Sequence, residues 1–153
     1  MFKSIIAAAS ALAASVAALP HAANSAVAAR QEEPLAYWPA SNFQEGCSPG
    51  GCIAGFNLTA LAGYVSGAPA FNVFCHPIYI QQGWIDCDPV GEQAAGSSVQ
   101  SMWTDASERE LIKLSVAHLW REGEASYNAS GSVEIEATET SFEVPVLRVV
   151  GIL

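Results

Sequence analysis

From residue 52 onward, apolar side chains recur at every second position, and no other feature restricts the fold as much. In CIAGFNLTA, Ala54, Phe56, Leu58 and Ala60 share one face while Asn57 and Thr59 point away, the signature of a strand with one buried side. After a turn at residues 62–69 carrying Gly63, Gly67 and Pro69, Phe71, Val73 and Cys75 alternate with Asn72, Phe74 and His76. IYI at 78–80, WIDC at 84–87 and residues 99–103 are shorter strand candidates, and DPVGEQAAGSS at 88–98 has loop composition. Residues 107–120 carry two conflicting signals. Ser107 with Glu110 is a capping box for a helix, yet Ile112, Leu114, Val116, His118 and Trp120 fall on one side at spacing two, and the spacing predicts a strand. Val133 and Ile135 continue the pattern, followed by Phe142, Val144 and Val146. Pro145 cannot donate to a ladder, so the last strand is expected at an edge or with a bulge. Many short strands joined by glycine-rich turns predict an all-β fold, a single small antiparallel β-barrel or sandwich.

The first thirty residues set the compartment. Lys3 precedes residues 5–19, fifteen uncharged residues dominated by Ala, Ile, Leu and Val, which read as a secretory signal peptide. A bilayer span needs about 20 residues, more than this run supplies. Small-residue cleavage sites occur around residues 22–29, and Arg30 before Gln31 offers a second, pro-segment cut. The expected organisation is a leader with a short pro-segment at 1–30 and one secreted β-domain at 31–153, large enough to bury about two thirds of its unfolded surface.

Without Lys3 and Arg30, four basic residues (Arg109, Lys113, Arg121, Arg148) face all 15 acidic ones, a balance of −11. Nucleic acid and anionic lipid both require a cationic face, so neither is an expected partner. In an oxidising compartment the even set Cys47, Cys52, Cys75 and Cys87 predicts two disulfides. Zinc is the rival reading, but neither spacing has the Cys-x-x-Cys knuckle that structural zinc favours. Of three connectivities, locality favours Cys47–Cys52 with Cys75–Cys87, loops contributing roughly 2 and 3 kcal/mol in the chain-entropy model. Pro49, Gly50 and Gly51 turn the chain tightly enough for the first pair to meet.

Several of these elements occur together in a recognisable order. Cys-x-Pro-x-x-Cys leading into Phe56-Asn57-Leu58-Thr59, then PAFNVFC at 69–75 with a cysteine near Trp84, Val116-Ala117-His118-Leu119-Trp120, and FEVPV at 142–146 resemble a group of small secreted fungal proteins described as hypersensitive-response-inducing elicitors. That group is similar in architecture to the β-barrel allergen family of Alternaria. The resemblance runs from about Trp38 to Val146. Cys75 and Cys87 match the first disulfide of the allergen group, whereas its second pair lies late in the chain and the pair here lies early. The resemblance implies an effector or elicitor with an unidentified host or cell-wall partner, and no catalysis.

Candidate chemistry is sparse. The chain has no G-x-S-x-G elbow, H-E-x-x-H or phosphate-binding glycine loop, so neither a catalytic set, a cofactor nor a metal is expected. His118 shares a face with Val116 and Trp120 and reads as a hydrogen-bonded core histidine. His76 reads as a strand-end residue. Asp86 and Asp88 flank Cys87 and are the candidate carboxylates of a hydrolase or calcium site. Asn57-Leu58-Thr59 and Asn128-Ala129-Ser130 are N-glycosylation sequons. The leading expectation is a non-enzymatic extracellular effector. The alternatives are a module binding a small apolar ligand or glycan on Tyr64, Trp84, Trp103 or Trp120, and a hydrolase using Asp86 or Asp88.

Overall fold

A computed structural model describes residues 33–79, 83–105 and 111–152. The expected leader at 1–30 and the capping-box residues Ser107 and Glu110 lie outside the described residues. The described strands are β1 Ala36–Ser48, β2 Gly51–Ala60, β3 Phe71–Cys75, β4 Ile85–Asp86, β5 Asp88–Pro89, β6 Ser98–Asp105, β7 Leu111–Glu122, β8 Ala125–Glu136 and β9 Ser141–Ile152. They form one antiparallel sheet in the order β4-β6-β7-β8-β9-β1-β2-β3-β5, curled into a nearly closed barrel.

The alternation dictates which faces turn inward. Ala54, Phe56, Leu58 and Ala60 of β2, Phe71, Val73 and Cys75 of β3, and Ile112, Leu114, Val116, His118 and Trp120 of β7 are all buried. At one end Phe43, Phe56 and Phe142 meet edge to face or tilted, with centroids 5.3–6.4 Å apart. Toward the other end Trp38, Tyr64, Phe71, His118 and Trp120 form a second ring cluster. The segment with conflicting helix and strand signals is a strand throughout its described part, as the spacing predicts, because its apolar period is two.

Closure depends on a short segment. The two outermost strands of the sheet, β4 and β5, are neighbours in sequence with only Cys87 between them. The Cys87 N–H donates to the carbonyl of Val99 on β6 at 2.8 Å, while its sulfur is bonded to Cys75 on β3. One residue therefore spans the seam between the two edges. The other disulfide, Cys47–Cys52, links facing residues of the β1–β2 hairpin above the Pro49-Gly50 turn.

Three features depart from the sequence reading. β1 shows no clean alternation because it contains a bulge between Ser41 and Gln44, with Asn42 at φ 54°. Trp38 and Ala40 point inward before the bulge and Phe43 after it. The expected strand at 78–80 contributes an isolated bridge, Ile53 to Ile78, and Ile80 lies outside the described residues. The loop expected at 88–98 begins with the two residues of β5. β9, by contrast, takes the second of its two expected forms, an interior strand between β8 and β1 that carries a bulge. Its bulge lies just beyond Pro145, where the β8 ladder passes from Gly131↔Val146 to Ser130↔Arg148. Gly131 sits so close to the Pro145 carbonyl that a Cβ there would collide with it.

Replacing Cys75 and Cys87 together by alanine should lower stability by ~2 to 5 kcal/mol, and the Cys47/Cys52 pair by less, because only the first ties buried residues across the seam. Denaturant midpoints measure both; equal shifts would contradict the ranking. Gly131→Ala should cost about 1 to 3 kcal/mol by the same measurement, since the obstacle is backbone.

Candidate functional site

His118 is fully buried on β7, and both of its ring nitrogens are engaged. The Tyr64 hydroxyl lies 2.7 Å from Nδ1 and the Ser97 hydroxyl 2.8 Å from Nε2. A neutral imidazole has one donor and one acceptor nitrogen, so one hydroxyl donates to the ring and the other accepts from it. Tyr64 comes from the ordered turn between β2 and β3, held by Gly63 N–H to Ala68 O at 2.8 Å, and Ser97 from the segment leading into β6. The histidine thus joins two connections that the sheet order keeps apart.

Burial lowers the His118 pKa to about 4. It also pushes the Tyr64 phenol well above its ordinary range, an effect the Trp38 indole partly offsets. Ser97 and His118 stand at the distance of a nucleophile and its base. However, the third member is a neutral phenol, and a base of pKa near 4 is a poor proton acceptor at neutral pH. The chemistry available to the trio is therefore mainly that of a polar clasp inside an aromatic cage.

The two aspartates are not paired with each other. Asp86 accepts from Gln100 Nε2 at 2.8 Å, and Asp88 lies 3.6 Å from His76 Nδ1 across β3. Among the described residues there is no cluster of three or more His, Cys, Asp or Glu suited to a metal ion. Among those residues no helix is long and apolar enough to cross a membrane. Of the aromatic platforms, Trp84 is exposed and Tyr64 half-buried. Trp103 and Trp120 point into the barrel, Trp103 against Tyr79 and Trp120 stacked on Tyr127, because their strand phase is that of the core. Asn57 faces outward on β2 and Asn128 outward on β8.

Sequence reasoning missed Ser97, Tyr37, Leu61 and Phe74. A lone serine in a Gly-Ser loop carries no signal, although an apolar-faced histidine itself implies polar partners nearby. The other three line two grooves on the outer face of β1, β2 and β3. One, of about 460 Å3, lies toward the Cys47–Cys52 hairpin and is lined by Ile53, Gly55, Phe74, His76 and Ile78. The other, of about 600 Å3, lies toward the β2–β3 turn and is lined by Tyr37, Pro39, Thr59, Leu61 and Asn72. The fold and its bridges define a small, disulfide-bonded, nearly closed antiparallel β-barrel. The chain matches no protein-family model, no curated protein and no solved structure.

The clasp has a pH signature. Between about 4 and the ordinary value of 6.5, the unfolded chain binds a proton at His118 that the folded chain does not. Its contribution is complete above about 6.5 and declines as the pH falls toward 4. Melting temperatures across this window should drop for the native protein and drop less steeply for His118→Gln; parallel curves would show that His118 is not responsible.

Proposed function

We propose that the protein is a secreted recognition domain of effector or elicitor type, acting where a fungus meets its host or surroundings by presenting a fixed surface rather than by turnover. The observation that carries this reading is the second groove, where Leu61 is 84% exposed and Tyr37 52% exposed beside Pro39. Tyr37 is held outward by β1 and Leu61 by the first residue of the β2–β3 turn, and exposed apolar side chains that adjoin around one groove mark interaction surfaces. The acidic balance of −11 in the region after residue 30 favours a basic protein partner that places an apolar side chain between Tyr37 and Leu61. The likeness of the cysteine spacing and of Val116-Ala117-His118-Leu119-Trp120 to secreted fungal elicitors points the same way.

A second reading, a secreted hydrolase, rests on the Ser97–His118 contact rather than on Asp86 and Asp88, whose carboxylates are engaged on different strands. Leaf infiltration of purified protein, assayed for necrosis and for sugar release from wall polysaccharides, separates the two. The response should persist in folded Asp86→Asn, Asp88→Asn and Ser97→Ala proteins. It should be lost in a folded Tyr37→Asp/Leu61→Asp protein and after reduction and alkylation. Loss of at least ~10²-fold in both response and sugar release with folded Ser97→Ala would replace recognition by hydrolysis.

A further inference from the structure

Asn57, the acceptor of the first sequon, occupies an unusual place on the outer sheet. Its neighbours along β2 on the same face are Gly55 and Thr59, and its cross-strand partners are Ser41 on β1 and Phe74 on β3. Three small residues therefore leave room around the carboxamide, and the fourth neighbour is an aromatic ring. The Phe74 ring reaches over β2 as far as Gly55, where an added Cβ would lie 3.0 Å from its Cζ. The side chain nevertheless remains 39% exposed. His76 lies nearly parallel to it, with an interplanar angle of 20°, and extends the surface toward Ile78. The second sequon differs. Asn128 stands between Leu119 and Val150, with Ser126 and Ser130 along its own strand and no aromatic ring among these neighbours.

We propose that an N-glycan on Asn57 folds back onto the barrel, its first N-acetylglucosamine lying across the open face of Phe74. Attachment is an ordinary transfer in the secretory pathway. Asn57 Nδ2 bonds to C1 of an oligosaccharide carried on a lipid pyrophosphate, the C1–O bond breaks, the pyrophosphate leaves with the electron pair, and the amide gives up one proton. Outward placement on β2 allows the barrel to form around the modified side chain. The pyranose presents C–H groups to the ring, whose negative face attracts their positive edge, as in aromatic edge-to-face pairs. The contact covers Phe74 and part of the first groove, leaving Tyr37 and Leu61 at the other end of the face open. The inference rests on the secretory route of the proposed function, not on recognition by a partner.

The test uses the full chain behind its own leader in a eukaryotic secretion host, with Asn128→Gln throughout so that Asn57 is the only acceptor. Peptide mass mapping reads occupancy. Melting is then compared for the complete glycan, the glycan trimmed to one N-acetylglucosamine, and Asn57→Gln, each with Phe74 and with Phe74→Thr. With Phe74 present, the full and trimmed proteins should melt together, and Asn57→Gln lower by roughly 3–6 °C, the shift expected from one aromatic contact in a domain of this size. With Phe74→Thr that difference should disappear. An equal difference in both backgrounds, no difference in either, or a secreted protein with Asn57 unoccupied overturns the inference. Failure of secretion behind the native leader instead defeats the proposed location, and the same arms behind a heterologous leader then decide the contact by itself.

Discussion

The seam at Cys87 is the constraint on which the rest of the barrel depends. Without residues 85–89 the curled sheet would end in two free edges, β3 and β6, each exposing unpaired backbone groups. Here residues 85–89 lie along both edges at once, β4 against β6 and β5 against β3, and Cys87 is both hydrogen-bonded to Val99 and disulfide-bonded to Cys75. Four strand residues cannot hold two edges together by ladder hydrogen bonds alone. The covalent bond from Cys75 converts a weak backbone contact into a fixed one, and the buried sulfurs join the core while doing so.

Once the seam is fixed, the interior has to accommodate an aromatic-rich set of side chains and one histidine. His118 is tolerated there because two hydroxyls satisfy both nitrogens, and a buried polar group is costly only when left unpaired. The same two bonds tie the β2–β3 turn and the entry to β6 to the centre of β7. That tie reaches the outer face, because Leu61 opens the turn that carries Tyr64. Tyr64 also lines the outer groove near Tyr37, so the proposed recognition surface and the polar contact inside the barrel share one short loop.

The strands were legible wherever alternation runs unbroken, as in β2, β3, β7 and β8 and in β9 as far as Val146. β1 was hidden because its bulge reverses the phase between Ala40 and Phe43, which a fixed period of two cannot follow. β4 and β5 are two residues each, too short to show any period. The disulfide pairing followed from locality, but its meaning did not, since the role of Cys87 appears only once β3 and β6 are known to be the two edges. The same holds for the outer face. Asn57 was visible as a sequon, and the small residues and phenyl ring around it become neighbours only through the register of β1 and β3.

Native-state hydrogen exchange on the Cys75→Ala/Cys87→Ala protein tests the seam most directly. If closure depends on this bond, amides of β3 and β6 should lose protection selectively, while β8 and β9, paired on both sides within the sheet, keep theirs relative to global stability. A uniform loss across all strands, or unchanged protection in β3 and β6, would show that the barrel closes without it.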